Sequence, residues 1–187
     1  RSFMSKLTIY PQADFPAILK WQAISFIKTE WPFVFSGDDL YLTEPCLPEL
    51  DPVHFALSEG ESLVSYASIF RLPVDHAGAT YQVYGFGNLF TFPPYRHQGY
   101  GRQVLASATA FITDSDIDVA ILFCEPELEP LYTMYGWQMA QAPTRIGTPK
   151  RYEPLEGVIK MNLYVSPKGQ QGKADFETQP LYVAWPW

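Results

Sequence analysis

Residues 95–112, YRHQGYGRQVLASATAFI, decide how this chain is read. They follow the stiff Phe92-Pro93-Pro94 and place two glycines, two arginines, a histidine and a glutamine at the mouth of a helix. From Gly99 onward, Tyr100, Val104, Leu105, Ala108, Phe111 and Ile112 recur at helical spacing, so an amphipathic helix begins here. Glycine is a poor helix former, and its place at the helix start needs a reason. The first amides of a helix lack internal partners and carry the positive end of its dipole. Glycine, having no Cβ, lets a bulky anion reach them. A strand, a short glycine turn and a helix N-terminus therefore read as a phosphate cradle, to which Arg96, His97 and Arg102 add positive charge. The lysine and spacing of a P-loop are absent, and Gly85, Gly87 and Gly99 do not satisfy G-x-G-x-x-G. The plainer alternative is a tight turn with incidental arginines.

Working outward, ATYQVYGFGNLFTF (79–92) is apolar on both faces, as in a central strand, and Gly85 and Gly87 inside it point to a bulge or a close backbone approach. DVAILF (118–123) is the continuous apolar run of a buried parallel strand. EPELEPLYTMYGW (125–137) predicts a short helix ended by Gly136. HFALSEGESLVSYASIFRL (54–72) reads as a hairpin turning at Ser58-Glu59-Gly60-Glu61. KLTIY (6–10) is a short strand. Asp14 then predicts the cap of a helix reaching Lys28, with Phe15, Ile18, Leu19, Ile24 and Phe26 as its apolar face. Residues 32–52, rich in proline, glycine and acids, form a long connection. In VIKMNLYV (158–165), Ile159, Met161, Leu163 and Val165 share one strand face, and the aromatic tail LYVAWPW (181–187) is expected to pack. The order is mixed α/β. It predicts one domain over 1–187, with 1–3 as a cloning remnant and 166–187 as an arm packed on the domain.

Thirteen Lys and Arg against twenty Asp and Glu leave a net charge of -7, which argues against a nucleic-acid binder and suits a cationic small molecule. Two cysteines, Cys46 and Cys124, far apart in the chain, read as reduced thiols of a cytoplasmic protein. There is no C-x-x-C or H-E-x-x-H, and no metal is expected. No apolar window is long enough to span a membrane, and the first ten residues lack secretory-signal features. Exposed edge strands leave monomer and homodimer both open.

Three segments in order resemble the GCN5-related N-acetyltransferases (GNAT). RHQGYG, residues 96–101, fits that family's R/Q-x-x-G-x-G/A pyrophosphate signature; NLFTFPPYR before it is similar to the family's strand-to-loop segment; LYTMYGW after it is similar to the family's Y-x-x-x-G-F ending. The resemblance covers residues 87–137. It implies an α/β (α+β) fold: a mixed, mostly antiparallel central sheet with helices on both faces, in which a splayed parallel strand pair forms a slot for acetyl-CoA. By that similarity, backbone groups of Leu89, Phe90 and Thr91 hold the thioester and pantetheine. Amides of Gln98, Gly99, Tyr100, Gly101 and Arg102 bind the pyrophosphate, with Arg96 and His97 beside them. Tyr132 matches the tyrosine that protonates the departing thiolate; its plain alternative is a packed core aromatic.

Here the pattern departs. Many members carry a glutamate where this chain has Gly87, so the amine's proton would leave through water, Glu125 or the carboxylate of Trp187. Glu125 also stands where relatives have a CoA-contacting asparagine. His54 and His76 read as structural. A narrower resemblance, to the aminoglycoside 2'-N-acetyltransferases, rests on the hairpin, the signature and a C-terminal arm ending in tryptophan. It implies an acidic acceptor site with Asp38, Asp39 and Trp187, and a small-molecule amine, such as an aminoglycoside-like polyamine, as partner, with neither nucleic acid nor membrane involved. Two alternatives stand beside it: a protein or peptide N-acetyltransferase, and a non-catalytic acyl-CoA-binding module.

Overall fold

Among the described residues, α-helices and strands follow in this order: β1 (Lys6–Pro11), α1 (Ala17–Glu30), β2 (Val53–Glu59), β3 (Ser62–His76), β4 (Ala79–Thr91), α2 (Tyr100–Thr113), β5 (Val119–Cys124), α3 (Glu129–Thr133), β6 (Gln138–Ala140), β7 (Thr144–Thr148), β8 (Arg151–Pro154), β9 (Ile159–Tyr164), α4 (Pro167–Gln171), α5 (Lys173–Thr178) and β10 (Leu181–Val183). The computed structural model describes residues 4–187, so the reading of residues 1–3 lies outside the described residues. Seven strands are hydrogen-bonded in the order β1-β2-β3-β4-β5-β9-β6, and β10-β7-β8 form a second sheet. The larger sheet is mixed and mostly antiparallel, with β4 and β5 its parallel pair. The chain divides into two compact units: one runs to Phe70 and includes Asn88–Ala108, the other is Arg71–Gly87 with Thr109–Trp187.

In the first unit the expected hairpin forms, with Glu59 opposite Ser62 and Gly60 left-handed at φ 61°. That conformation is cheap for glycine and strained for residues with a Cβ. β1 adds antiparallel to β2. Leu19, Ala23 and Ile27, four residues apart on α1, pack with Phe15, Ala56, Leu63, Tyr66 and Phe90 into a core. Two expectations need correction. Asp14 lies in a single 3-10 turn and caps nothing; α1 starts after Pro16, whose fixed φ suits the residue before a helix. Ile18 is exposed, because the buried stripe follows Leu19 and its i+4 partners and leaves the neighbouring position about 100° round the helix in solvent.

A polar chain runs through this unit. Gln12 Nε2 donates to Glu44 (3.0 Å), so Gln12 Oε1 accepts from His54 Nε2 (2.7 Å), and His54 Nδ1 accepts from the Tyr66 hydroxyl (2.6 Å). Phe15 stacks on the imidazole at 4.2 Å. Burial alone would raise the Glu44 carboxyl, but hydrogen bonds from Lys20 and Gln12 and the Lys20 charge outweigh it and hold the group below its usual range. His54 reads as structural, as expected, since both ring nitrogens are satisfied and the side chain is sealed from solvent.

In the second unit β5 is buried almost throughout, between β4 on one side and antiparallel β9 on the other. Asp118, just ahead of β5, accepts from the Gln82 amide (2.8 Å) and from Ser166 Oγ (2.6 Å), fastening the start of α4 to it. Parallel pairing ends at Gly85–Ile121, although β5 continues to Cys124. Phe176, Leu181 and Val183, from the expected C-terminal arm, are buried with Val83, Val119 and Ile121. His76 stacks on Phe176 at 4.3 Å, a structural role also. The β10-β7-β8 sheet has no forerunner in the sequence reading: its strands are three to five residues long, too short to show a period. β9 also departs from a simple one-sided strand. Its alternate face, Lys160 and Asn162, is as buried as Met161.

Burial pushes His54 down to about 4 from its ordinary 6.5. As pH falls below 6.5 the unfolded chain takes up this proton first, so folded-state stability is lost progressively between pH 6.5 and about 4. The expected loss from this residue is on the order of 2–3 kcal/mol. Urea denaturation from pH 7 to pH 4.5 should show it, and the His54→Gln variant should show a flatter slope over the same range.

Candidate active site

The quoted stretch builds a glycine turn and a helix start inside the first unit. After β4, Pro93, Pro94 and Tyr95 make one 3-10 turn, and then His97 and Gly99 both take left-handed backbone, φ 64° and 83°. A turn with alternating hand directs successive amides to one side, which is how a backbone concavity for an anion arises. α2 starts at Tyr100, and Gln103 N to Gly99 O (3.1 Å) is the first backbone bond closing its initial turn. The amides ahead of it, including those of Tyr100, Gly101 and Arg102, are therefore left facing outward. A Cβ on Gly99 would meet nothing within 4 Å, so the space over this turn is open. A Cβ on Gly101 would lie 3.0 Å from Thr91 Oγ1, so the second glycine lets the helix seat against the end of β4. Both glycines thus have separate physical reasons.

The charges around the cradle are not equivalent. Arg96 Nε donates to Thr91 O (2.9 Å) and its guanidinium meets Glu30 (3.2 Å). Arg96 therefore ties the loop to β4 and α1, and its charge is partly neutralised. His97, Gln98 and Arg102 are exposed. At the end of β4, Ser65 Oγ donates to Phe90 O (2.8 Å) and contacts Thr91 Oγ1 (3.0 Å). The Phe90 ring points into the core, edge-on to Phe26 at 5.1 Å, and Leu89 is half-buried.

β4 runs unbroken through both of its glycines. The left-handed residue is Asn88, φ 59°, between Gly87 and Leu89. Asparagine tolerates this region because its side chain bonds locally. Here Asn88 Nδ2 donates to Ser68 Oγ (3.1 Å), which also accepts from Cys46 Sγ (3.1 Å). Burial pushes the Cys46 thiol up to about 11. Sequence reasoning missed Asn88. The available signal was an Asn next to Gly inside an otherwise apolar strand.

The second unit holds Tyr132, in α3, with 5% of its surface exposed. Its ring stands edge-on to Phe86 (6.2 Å) and Trp137 (6.4 Å), and Trp137 Nε1 donates to Thr109 Oγ1 (3.1 Å). Burial, then the neighbouring Cys124 and Glu125, raise its phenol well above the usual value, so it is held as O–H. Cys124 is pushed up to about 12 by burial and by Glu125, far from a thiolate nucleophile. The Trp187 indole donates to Ile121 O (2.8 Å) and stands edge-on to Phe123 at 5.1 Å, clasping β5. Its backbone carbonyl carbon lies 3.5 Å from where a Cβ on Gly87 would sit. Asp38 and Asp39, in a 3-10 turn of the first unit, are exposed.

The sequence pattern of the Acetyltransferase (GNAT) family matches residues 17–137, which include the cradle, Gly87 and Tyr132. The chain belongs to the GNAT acetyltransferase family. It is thus an acyltransferase of the acyl-CoA-using type. Solved structures agree on the fold. An acyl-CoA N-acyltransferase from Pseudomonas aeruginosa is 22% identical with a TM-score of 0.55, over 85% of this chain and 99% of that one. The GNAT N-acetyltransferase YhbS from Escherichia coli, solved in complex with CoA, is 14% identical with a TM-score of 0.56, over 97% of this chain and 91% of that one. An Enterococcus faecalis V583 protein described as a probable N-acyltransferase is 15% identical with a TM-score of 0.53, over 73% of this chain; the match spans 33% of that protein's length. No curated protein matches by sequence. In this GNAT protein no helix among the described residues is long and apolar enough to cross a membrane.

Gly99 carries the strained turn. Replacing it by alanine should destabilise the fold by roughly 1–2 kcal/mol, the left-handed penalty for a residue with a Cβ, because the site offers no clash to add to it. Urea denaturation of Gly99→Ala against the parent checks this.

Proposed function

We propose that this GNAT protein transfers an acetyl group from acetyl-CoA directly to a primary amine of a small molecule, as one domain over residues 1–187. The observation that carries the reading is the cradle: outward amides at the start of α2, an open left-handed turn at Gly99 and a Cβ-free approach at Gly101. Amides from Gln98 to Arg102 take the pyrophosphate, with the exposed His97 and Arg102 side chains beside it. The backbone of Leu89, Phe90 and Thr91 receives the pantetheine arm. Arg96 shapes the loop through Thr91 and Glu30 and does not meet the phosphate as a free charge.

The chemistry needs a neutral amine, a polarised thioester carbonyl and a proton for the leaving thiolate. Acetyl-CoA supplies the activated acyl group. The amine nitrogen attacks the carbonyl carbon, the C–S bond breaks, the amine loses one proton and the thiolate gains one. Tyr132, held as O–H by its burial, donates that proton. Gly87 offers no carboxylate, so the amine's proton leaves through water or Glu125. No thiol or serine takes the acyl group, in keeping with the raised Cys124 and Cys46.

The acceptor class rests on charge. A net charge of -7 and the exposed Asp38 and Asp39 favour a cationic amine, with aminoglycoside-like polyamines its most specific form. No comparison carries the narrower likeness to the aminoglycoside enzymes. Asp38, Asp39 and Trp187 are the residues we assign to the acceptor, as monomer or homodimer. Two free cysteines support a cytoplasmic setting. Gly87 favours a second reading, a binder that does not turn over.

Thiol release from acetyl-CoA, followed against aminoglycosides, polyamines, amino acids and short peptides, tests both. Turnover on small amines is expected; turnover on peptides alone would sink the acceptor assignment. In Tyr132→Phe the rate should fall about 10²–10⁴-fold with CoA affinity unchanged, the size of a lost general acid. Tight CoA binding with no acceptor turned over would favour the binder.

A further inference from the structure

The second unit contains a charge that nothing described in the protein balances. Lys160, on β9, is 4% exposed, and its Nζ makes one hydrogen bond, to Ala142 O at 3.0 Å. An ammonium has three donors. Among the described residues no carboxylate lies within ion-pair distance of it. Burial is the sole cause pushing Lys160 down, to about 8, so at neutral pH most of it remains charged. A buried charge without a partner is costly, and proteins ordinarily pair it or expose it. Lys20 in the first unit shows the ordinary solution, part-buried and paired with Glu44 at 2.8 Å.

Beside Lys160 opens a cavity of about 330 Å³. Its lining side chains are mostly apolar, among them Phe123, Met139, Pro143, Leu155 and Val158, and polar atoms share the surface with them. Gln141 and Thr144 add polar atoms, and Lys160 is the sole titratable side chain lining it. Register explains the placement. Lys160 lies opposite Phe123 of β5 and opposite Ala140 of β6, so it stands mid-sheet with a strand on either side. A side chain there cannot bring its charged end to solvent along a free strand edge.

We propose that this cavity is a binding site for a small monocarboxylate with an apolar body, its carboxylate paired with the Lys160 ammonium. One negative charge complements one positive charge, and an ammonium has two N–H donors beyond the one bonded to Ala142 O. A dianion would bring a second charge to a site where Lys160 is the one cation in the lining. The volume lies at the low end of small-ligand pockets and admits an apolar body of roughly six to eight carbons. The site needs neither CoA nor acyl transfer, and stands whether or not the acetyltransferase reading of this chain holds.

The test titrates the full chain with hexanoate, hexanamide and hexylamine, by calorimetry and by thermal denaturation. Hexanoate should bind saturably at one site and raise Tm. Hexanamide, the same shape without the charge, should bind at least about tenfold more weakly, the difference one charge-assisted contact makes, and hexylamine should not bind. Lys160→Met should abolish the hexanoate response. A readout that needs no variant is lysine acetylation by acetic anhydride, mapped by mass spectrometry. Hexanoate should protect Lys160 and leave the other lysines as reactive as before. Absence of saturable hexanoate binding, equal binding of hexanamide, or unprotected Lys160 under saturating hexanoate would each overturn the proposal.

Discussion

The site depends on how closely α2 approaches the end of β4. A Cβ at Gly101 would lie 3.0 Å from Thr91 Oγ1, tighter than almost any real Cβ contact, and that hydroxyl is itself positioned by Ser65. With glycine there, the first turn of the helix sits directly on the strand end and its unpaired amides are held in a fixed place. The left-handed turn at His97 and Gly99 then aims those amides outward, and Arg96 locks the loop from behind through Thr91 O and Glu30. A helix N-terminus alone is only a weak attraction for an anion. Pinned at a strand end, with no side chain in the way, it becomes a preorganised one, and preorganisation is what makes a dipole effective.

The two units treat buried polarity in opposite ways. In the first, Lys20, Glu44, Gln12, His54 and Tyr66 form a continuous chain in which each group has a partner. Such a chain fixes the loop carrying Glu44 against α1 and β2 and keeps the imidazole neutral. In the second, Asp118 is satisfied by Gln82 and Ser166, whereas Lys160 has a single carbonyl. Full satisfaction makes a rigid scaffold; partial satisfaction beside a cavity leaves chemistry for something else to complete.

The departure at Gly87 takes on a physical meaning once Trp187 is placed. The indole is held on β5 by Ile121 O and Phe123, and this brings its backbone carbon to ordinary van der Waals distance from a Cβ at Gly87. An alanine would fit there; a long side chain would have to route around the arm. The glycine that is anomalous against the family's pattern is thus consistent with the arm of this chain packing where it does.

Local chemistry was legible in the sequence. The hairpin at Gly60, the buried run of β5, the amphipathic α2 and the glycine turn ahead of it were all written in residue periodicity and turn residues, because those features are settled within a few positions of themselves. What the sequence could not show was which long-range partner each group would find. Arg96 looks like a free phosphate ligand until Glu30, 66 residues away, is seen to meet it. Asn88 looks like an ordinary strand residue until its left-handed backbone and its bonds to Ser68 and Cys46 are seen. Lys160 reads as the solvent face of an alternating strand, and only the strands paired on both its sides bury it. Periodicity records the conformation of a segment, but burial and charge pairing belong to the contacts between segments, and tertiary structure alone decides those.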